Sequence, residues 1–322
     1  MVRAADPSEL VEQARAGSGR AVARLISLVE DDSPQLREVM ALLAPLSGSA
    51  LSVGLTGSPG VGKSTTTAAL VAAYRRRGSR VGVLAVDPSS PFSGGALLGD
   101  RVRMQDVALD PGVYIRSMAT RGHLGGLSRA TPQALRVLDA AGCDLVLIET
   151  VGVGQSEVEV AGLADTTVVL LAPGMGDGIQ AAKAGILEVG DIFSVNKADR
   201  DGADATVREI QHMLGLGERR APGEWRPPVV KTVAMQGDGI DELIEAIDKH
   251  QAWLAETGEL RERRVLRAAS EVEAIALAAL RARMGQKGLT EGGLAGLAGD
   301  VVDGRLDPYA AADRLVDGVR EG

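Results

Sequence analysis

The spacing of apolar positions changes twice along the chain. Residues 1–48 hold no continuous apolar run, but Val22, Leu25, Ile26 and Val29 fall at i, i+3, i+4 and i+7, one face of a helix. A second helix is expected from Ser33-Pro34 through Met40 and Leu43, ended by Pro45 and Ser47-Gly48. From residue 51 to about 254, short runs rich in β-branched residues recur: 51–56 (LSVGLT), 81–86 (VGVLAV), 113–117 (VYIRS), 145–149 (LVLIE), 166–172 (TTVVLLA), 192–195 (IFSV) and 229–234 (VVKTVA). Continuous rather than alternating apolar runs are what strands covered on both faces require. Helices are expected between most of them, for example over 63–77 and 132–141, where Thr131 can act as N-cap with proline next. Repeated β–α alternation gives a mostly parallel sheet flanked by helices, with right-handed crossovers. Beyond 254 the strand pattern ends. A long helical stretch over 259–284 carries Leu260, Leu266, Ile275, Leu277 and Leu280 among Arg and Glu, a Gly-rich break follows over 292–299, and a short helix is expected over 308–319. The expected organisation is an N-terminal helical extension (1–48), an α/β domain (49–256) and a C-terminal helical tail (257–322). So small a tail cannot bury its own apolar face and must pack on the main domain or on another copy of the chain.

Composition narrows this picture in a few places. The 322 residues are 45% hydrophobic and 24% charged, enough for a well-buried core. With only 2 Phe, 3 Tyr and 2 Trp, that core must be built from Ala, Val, Leu and Ile. The formal net charge of −8 argues against general nucleic-acid binding. No apolar run reaches the ~18 residues needed to span a bilayer, and the first residues lack a signal peptide's apolar segment, so a soluble cytoplasmic protein is expected. The single cysteine, Cys143, excludes an internal disulfide and a cysteine-based metal site, and fits a small core residue.

The chemistry begins directly after the first strand. Gly57-Ser58-Pro59-Gly60-Val61-Gly62-Lys63-Ser64 is a complete GxxxxGK[ST], followed by Thr65, in the strand–loop–helix setting that this motif needs. Its glycines let consecutive N–H groups face phosphate oxygens, and the following helix presents its positive end to the same anion. Lys63 is expected to reach the β- and γ-phosphates, and the Ser64 hydroxyl to bind Mg²⁺. After the run at 192–195 comes Asn196-Lys197-Ala198-Asp199, the NKxD pattern of guanine-nucleotide binders. A carboxylate accepts from both guanine N1–H and the exocyclic N2 amine, a donor pair adenine lacks, and the Lys197 stem can cover the ring. A backbone N–H of Val233-Ala234-Met235 is a further candidate, for guanine O6. Acidic groups for hydrolysis are Glu149, at the end of the run at 145–149, with Asp87 and Asp100 as additional candidates. Gly152 is placed to sense the γ-phosphate and Gln155 to orient water. The bound species expected are GTP or GDP with Mg²⁺.

Three longer stretches, 86–104 (VDPSS…GG…LGDRVRM), 115–128 (IRSMATRGHLGGLS) and 149–157 (ETVGVGQSE), make the chain resemble the MeaB/MMAA GTPases over residues 20 to 285. These are SIMIBI-class P-loop proteins that act as chaperones of adenosylcobalamin-dependent methylmalonyl-CoA mutase. The resemblance implies slow intrinsic GTP hydrolysis accelerated by the mutase or a related cobalamin-dependent acyl-CoA mutase, with nucleotide state gating the loading and protection of a cofactor that belongs to the partner. It further implies that Asp87, Asp100 and Glu149 are the magnesium and water-site acids, that residues 173–183, including Asp177, Gln180 and Lys183, form an additional switch loop, and that the C-terminal tail is a homodimerisation arm. Two departures stand out: Ser93 and Ala96 replace the commoner Thr and Ser, and Val233 replaces the usual Ser of the last guanine motif.

Other roles for a P-loop chain stay open at this point. A nickel-delivery GTPase would need clustered Cys or His ligands, whereas His123, His212 and His250 are scattered. A kinase or ATPase serving amino-acid transport would not need NKAD. A scaffold that binds nucleotide without turnover would not need the three acids.

Overall fold

The computed structural model describes residues 6–88, 107, 109–120, 130–150, 156–174, 186–216, 223–287 and 293–320, with the backbone alone at a few element ends, Asp87 among them. In chain order the elements are α1 (Pro7–Arg15), α2 (Gly19–Glu30), α3 (Leu36–Leu43), β1 (Leu51–Thr56), α4 (Lys63–Arg76), β2 (Val81–Pro88), β3 (Val113–Thr120), α5 (Thr131–Ala140), β4 (Leu145–Thr150), α6 (Ser156–Leu163) and β5 (Thr166–Leu171). They continue with α7 (Ile186–Val189), β6 (Ile192–Asn196), α8 (Ala203–Leu216), β7 (Val229–Thr232), α9 (Ile240–Thr257), α10 (Glu259–Lys287), α11 (Leu294–Val302) and α12 (Pro308–Arg320). Each of the seven apolar runs is a strand, and they form one sheet in the order β3-β2-β4-β1-β5-β6-β7 with every neighbouring pair parallel. Because all strands point the same way, the carboxyl ends of β1, β2, β4, β6 and β7 lie along one edge, the usual place for a ligand in an open α/β sheet.

The sheet is covered on both sides, which is why β4, β5 and β6 are buried at every position. On one face Leu84, Val86, Met118, Val146 and Ile148 pack against α5 and against the N-terminal helices. Val22, Leu25, Ile26 and Val29, the helical stripe expected from spacing, are all buried there. On the other face Val53, Leu55, Leu145, Leu147 and Leu170 meet Leu70 and Val71 of α4 and Leu243, Ile244 and Ile247 of α9. The lone cysteine, Cys143, is buried, and burial pushes its thiol up to about 12, so it stays protonated and inert.

Two local expectations are corrected. Thr131 is the first helical residue of α5, not its cap; Ala130 occupies the cap position, and the Thr131 hydroxyl is buried without a hydrogen-bond partner among the described residues. The Gly-rich stretch at 292–299 is helical from Leu294, because Leu297 packs with Ala311 and Leu315 of α12 and this tertiary contact outweighs the weak helix propensity of glycine. The chain divides into two compact units, Met1–Arg264 and Val265–Gly322. Within the second, Leu297, Ala311 and Leu315 form a small core, while Leu266 and Val272 are 69% and 67% exposed. No helix among the described residues is long and apolar enough to cross a membrane.

At the sheet edge opposite the nucleotide loops, two buried aspartates hold the start of α10. Asp191 accepts from the Thr167 N–H at 2.8 Å and from both terminal nitrogens of Arg263 at 3.0 and 2.9 Å. Asp165 accepts from the Ser52 N–H at 3.1 Å and from Arg264 at 2.8 and 3.2 Å. Burial alone would raise the pKa of Asp191, but the contacts with His250 and Arg263 outweigh it and hold the carboxyl below its ordinary value. A lowered folded-state pKa contributes stability that is present above the unfolded value near 4 and is lost as pH falls through the folded value. Asp191→Asn is therefore expected to cost about 2–3 kcal/mol at pH 7, with the gap to the parent protein narrowing below about pH 4. Urea unfolding at pH 7 and at acid pH checks this; a gap that did not narrow on acidification would rule out the carboxylate charge as its source.

Candidate phosphate- and guanine-binding site

The loop between β1 and α4 is shaped by its glycines. Gly57, Gly60 and Gly62 sit at φ of +138°, +83° and +99°, the region that disfavours any residue with a Cβ. Space imposes the same choice at two of them. A Cβ on Gly57 would lie 2.2 Å from the Leu170 carbonyl oxygen on β5, and one on Gly62 would lie 2.4 Å from Asn196 Nδ2. Val61 is fully buried and pins the loop to the core, whereas Pro59 and Gly60 are exposed at its tip and Ser58 and Thr65 are half-buried. Lys63 opens α4, and its ammonium donates to the Gly57 carbonyl at 2.6 Å and the Ser58 carbonyl at 3.1 Å, across the mouth of the loop.

Glu149, near the end of β4, is level with Leu55 on β1 and with Ala85 on β2, which brings it beside the start of α4. Its carboxylate is buried and holds two hydroxyls: Ser64 Oγ donates to Oε1 at 2.6 Å, and Thr67 Oγ1 lies 2.9 Å from Oε2. The motif residue expected on Mg²⁺ and the acid expected beside it are thus joined. Asp87 continues β2 two residues beyond the level of Glu149. Asp100, Gly152 and Gln155 lie outside the described residues, as do Ser93, Ala96, Asp177, Gln180 and Lys183.

The guanine motif is wired to the phosphate loop. Asn196 is buried; its Nδ2 donates to the Val61 carbonyl at 2.8 Å, and its Oδ1 accepts from the Ala234 N–H at 3.1 Å and the Thr232 hydroxyl at 3.3 Å. The Ala234 bond identifies the amide oxygen, so the nitrogen must face Val61. Thr232 Oγ1 is also 3.0 Å from Ser194 Oγ; since the Thr232 hydroxyl donates to Asn196 Oδ1, Ser194 donates to Thr232, and Asn196 holds the loop. Lys197 stands at φ +59°, and its ammonium donates to the Gly60 carbonyl at 2.6 Å, laying the stem between the two loops. Asp199 is exposed at the end of this turn. In the turn after β7, the Val233 N–H bonds to the Asp238 carbonyl and the Ala234 N–H to Asn196. Of the three amides singled out in the sequence, that of Met235 makes no such bond with the described residues, and the residue is 88% exposed.

Sequence reasoning placed Lys63, Ser64 and Glu149 in one site, and the structure brings them together; it missed Thr67 and the Ser194–Thr232–Asn196 relay. Thr67 was detectable, since it lies at i+3 from Ser64 on one helix face. The relay was not, because it joins two strands 38 residues apart in sequence.

Known proteins agree with this geometry. Residues 22–288 match the family described as methylmalonyl-CoA mutase-associated GTPase MeaB. A relative from Pyrococcus horikoshii that bears the name GTPase is 49% identical over 310 residues, 96% of this chain and 97% of its own. The mouse protein named methylmalonic aciduria type A homolog, mitochondrial, is 43% identical over 215 residues, 66% of this chain and 52% of its own. The crystal structure of a protein named LAO/AO transport system kinase superposes with a TM-score of 0.67 at 29% identity, and the match covers 99% of both chains. A P-loop wired to a guanine motif on an all-parallel sheet, matched from α2 to the end of α10, leaves one assignment: the chain is a P-loop GTPase of the MeaB family.

Proposed function

We propose that this GTPase is a chaperone of an adenosylcobalamin-dependent methylmalonyl-CoA mutase, coupling its nucleotide state to the loading and protection of the mutase's cofactor. The observation that carries the reading is the family match, which spans most of α2, α3, the whole nucleotide domain and α10 rather than the P-loop alone. The name of the mouse relative points to the same metabolism.

In this reading the Lys63 ammonium exchanges its two loop carbonyls for the β- and γ-phosphates, backbone N–H groups from residues 57–65 other than Pro59 surround them, and Asp199 takes the guanine edge with the Met235 amide near O6. Gly152 senses the γ-phosphate and Gln155 orients the attacking water. The buried hard oxygens of Ser64 and Glu149 suit Mg²⁺, with Asp87 and Asp100 completing the acid set; the ion would neutralise charge developing on the phosphates. Asn196 and Lys197 make base and phosphate recognition one event, because both reach from the guanine motif to the phosphate loop. The exposed Leu266 and Val272 of the C-terminal unit support pairing of two copies of the chain.

The test is GTP turnover with and without purified methylmalonyl-CoA mutase. Turnover is expected to rise by about 5- to 100-fold, a range typical of coupling between sites, and a complex is expected by light scattering. No acceleration and no complex would overturn the partner assignment and favour the role for which the solved relative is named, a transport-system kinase.

A further inference from the structure

One of the two hydroxyls on Glu149 comes from outside the phosphate-loop motif. Thr67 is completely buried on α4, the third of three consecutive threonines. Its neighbour Thr66 places its hydroxyl on the Gly62 carbonyl at 3.0 Å, a bond back to the preceding helical turn. Thr67 has the same option, with the Lys63 carbonyl at 3.0 Å, but it also faces Glu149 Oε2 at 2.9 Å. A hydroxyl has one proton to give, and a bond to an anionic carboxylate is the stronger of the two. Ser64 therefore occupies one carboxylate oxygen and Thr67 the other. The terminal torsion of a glutamate is broad and roughly two-fold; a hydroxyl on each oxygen holds the plane of the carboxylate.

We infer that Thr67 is a positioning residue for the Glu149 carboxylate and, through it, sets the affinity of the nucleotide-bound protein for Mg²⁺. The inference rests on the reading of Glu149 as a magnesium-site acid. Groups that orient a metal's ligands typically change metal affinity 10- to 100-fold when removed.

The experiment is calorimetric titration of Mg²⁺ into the GDP-bound full chain, with nucleotide affinity measured separately in chelator. Thr67→Val keeps the branched shape and removes the hydroxyl; it is expected to weaken Mg²⁺ binding at least tenfold while leaving nucleotide affinity in chelator unchanged. Thr67→Ser, which retains the hydroxyl, is expected to restore the parent value. If the valine variant does not fold, Thr67→Ala carries the same comparison. Wild-type Mg²⁺ affinity in a folded variant without the hydroxyl would overturn the assignment, as would a serine variant as weak as valine. Glu149→Gln, titrated in parallel, separates the two levels. Unchanged Mg²⁺ affinity there would refute the acid reading itself, whereas a loss there with none in the valine variant would refute Thr67 alone.

Discussion

Lys63→Ala is expected to abolish GTP hydrolysis while leaving the fold intact. Lys63 is buried, and its ammonium donates to the Gly57 and Ser58 carbonyls of the phosphate loop. In the proposed reading the same charge meets the β- and γ-phosphates, where negative charge builds up in a water-poor site and a preorganised donor counts for most. Loss of one such donor costs about 10²–10³ in rate; a full positive charge on the transferring phosphoryl group puts the effect at or beyond the upper end. Stability moves little by comparison. The loop's shape comes from Gly57 and Gly62 at positive φ and from Val61 buried against the core, not from the ammonium. Phosphate release under single-turnover conditions, beside a thermal melt, checks both halves. Normal turnover would remove Lys63 from the chemistry, and a collapsed melt would mean that it is a structural residue.

How much of this was legible in the sequence differs by level. The strands were, because a strand buried on both faces is mostly apolar and so reads as a continuous run: β1 matches the expected 51–56 at both ends, and the other strands share their expected starting residues. Their order was not. Nothing local tells β4 to enter between β1 and β2, yet that insertion sets Glu149 beside the phosphate loop. The shape of the loop after β1 was legible because GxxxxGK[ST] encodes backbone requirements, two of which the structure translates into a Cβ with no room. The role of Asn196 was only half legible. NKxD marks a guanine site, but the carboxamide itself spans from Ala234 and Thr232 to Val61, and that requires strands 6 and 7 and the loop after β1 to be in place together. Helix ends were the weakest point. At Thr131 a threonine followed by proline has the composition of a cap, and the backbone begins the helix one residue earlier than that composition implies.

The same wiring decides what happens at the base. Asp199→Asn is expected to weaken GTP binding about a hundredfold and to make xanthosine triphosphate the better ligand. Guanine offers two donors, N1–H and the N2 amine, and a carboxylate accepts both; a carboxamide offers one acceptor and one donor, so its NH₂ confronts the amine. Xanthine carries a carbonyl oxygen where guanine has the amine, which turns that clash into a bond. Each contact to a charged group is worth about 1.5–3 kcal/mol, and the exposure of Asp199 argues for the lower end of that range. The substitution is clean in a second respect. Asp199 makes no hydrogen bond or ion pair with the described residues, and the Asn196 and Lys197 bonds to the phosphate loop do not pass through it. Melting temperature in the absence of nucleotide should therefore be unchanged, unlike a change at Asn196, which would release Val61 and Ala234 together. Competition of GTP, ATP and xanthosine triphosphate against a fluorescent GDP analogue measures the whole pattern. Unaltered GTP affinity would dissociate the motif from the base, whereas equal loss for all three nucleotides would mean that Asp199 shapes the loop instead of reading the purine.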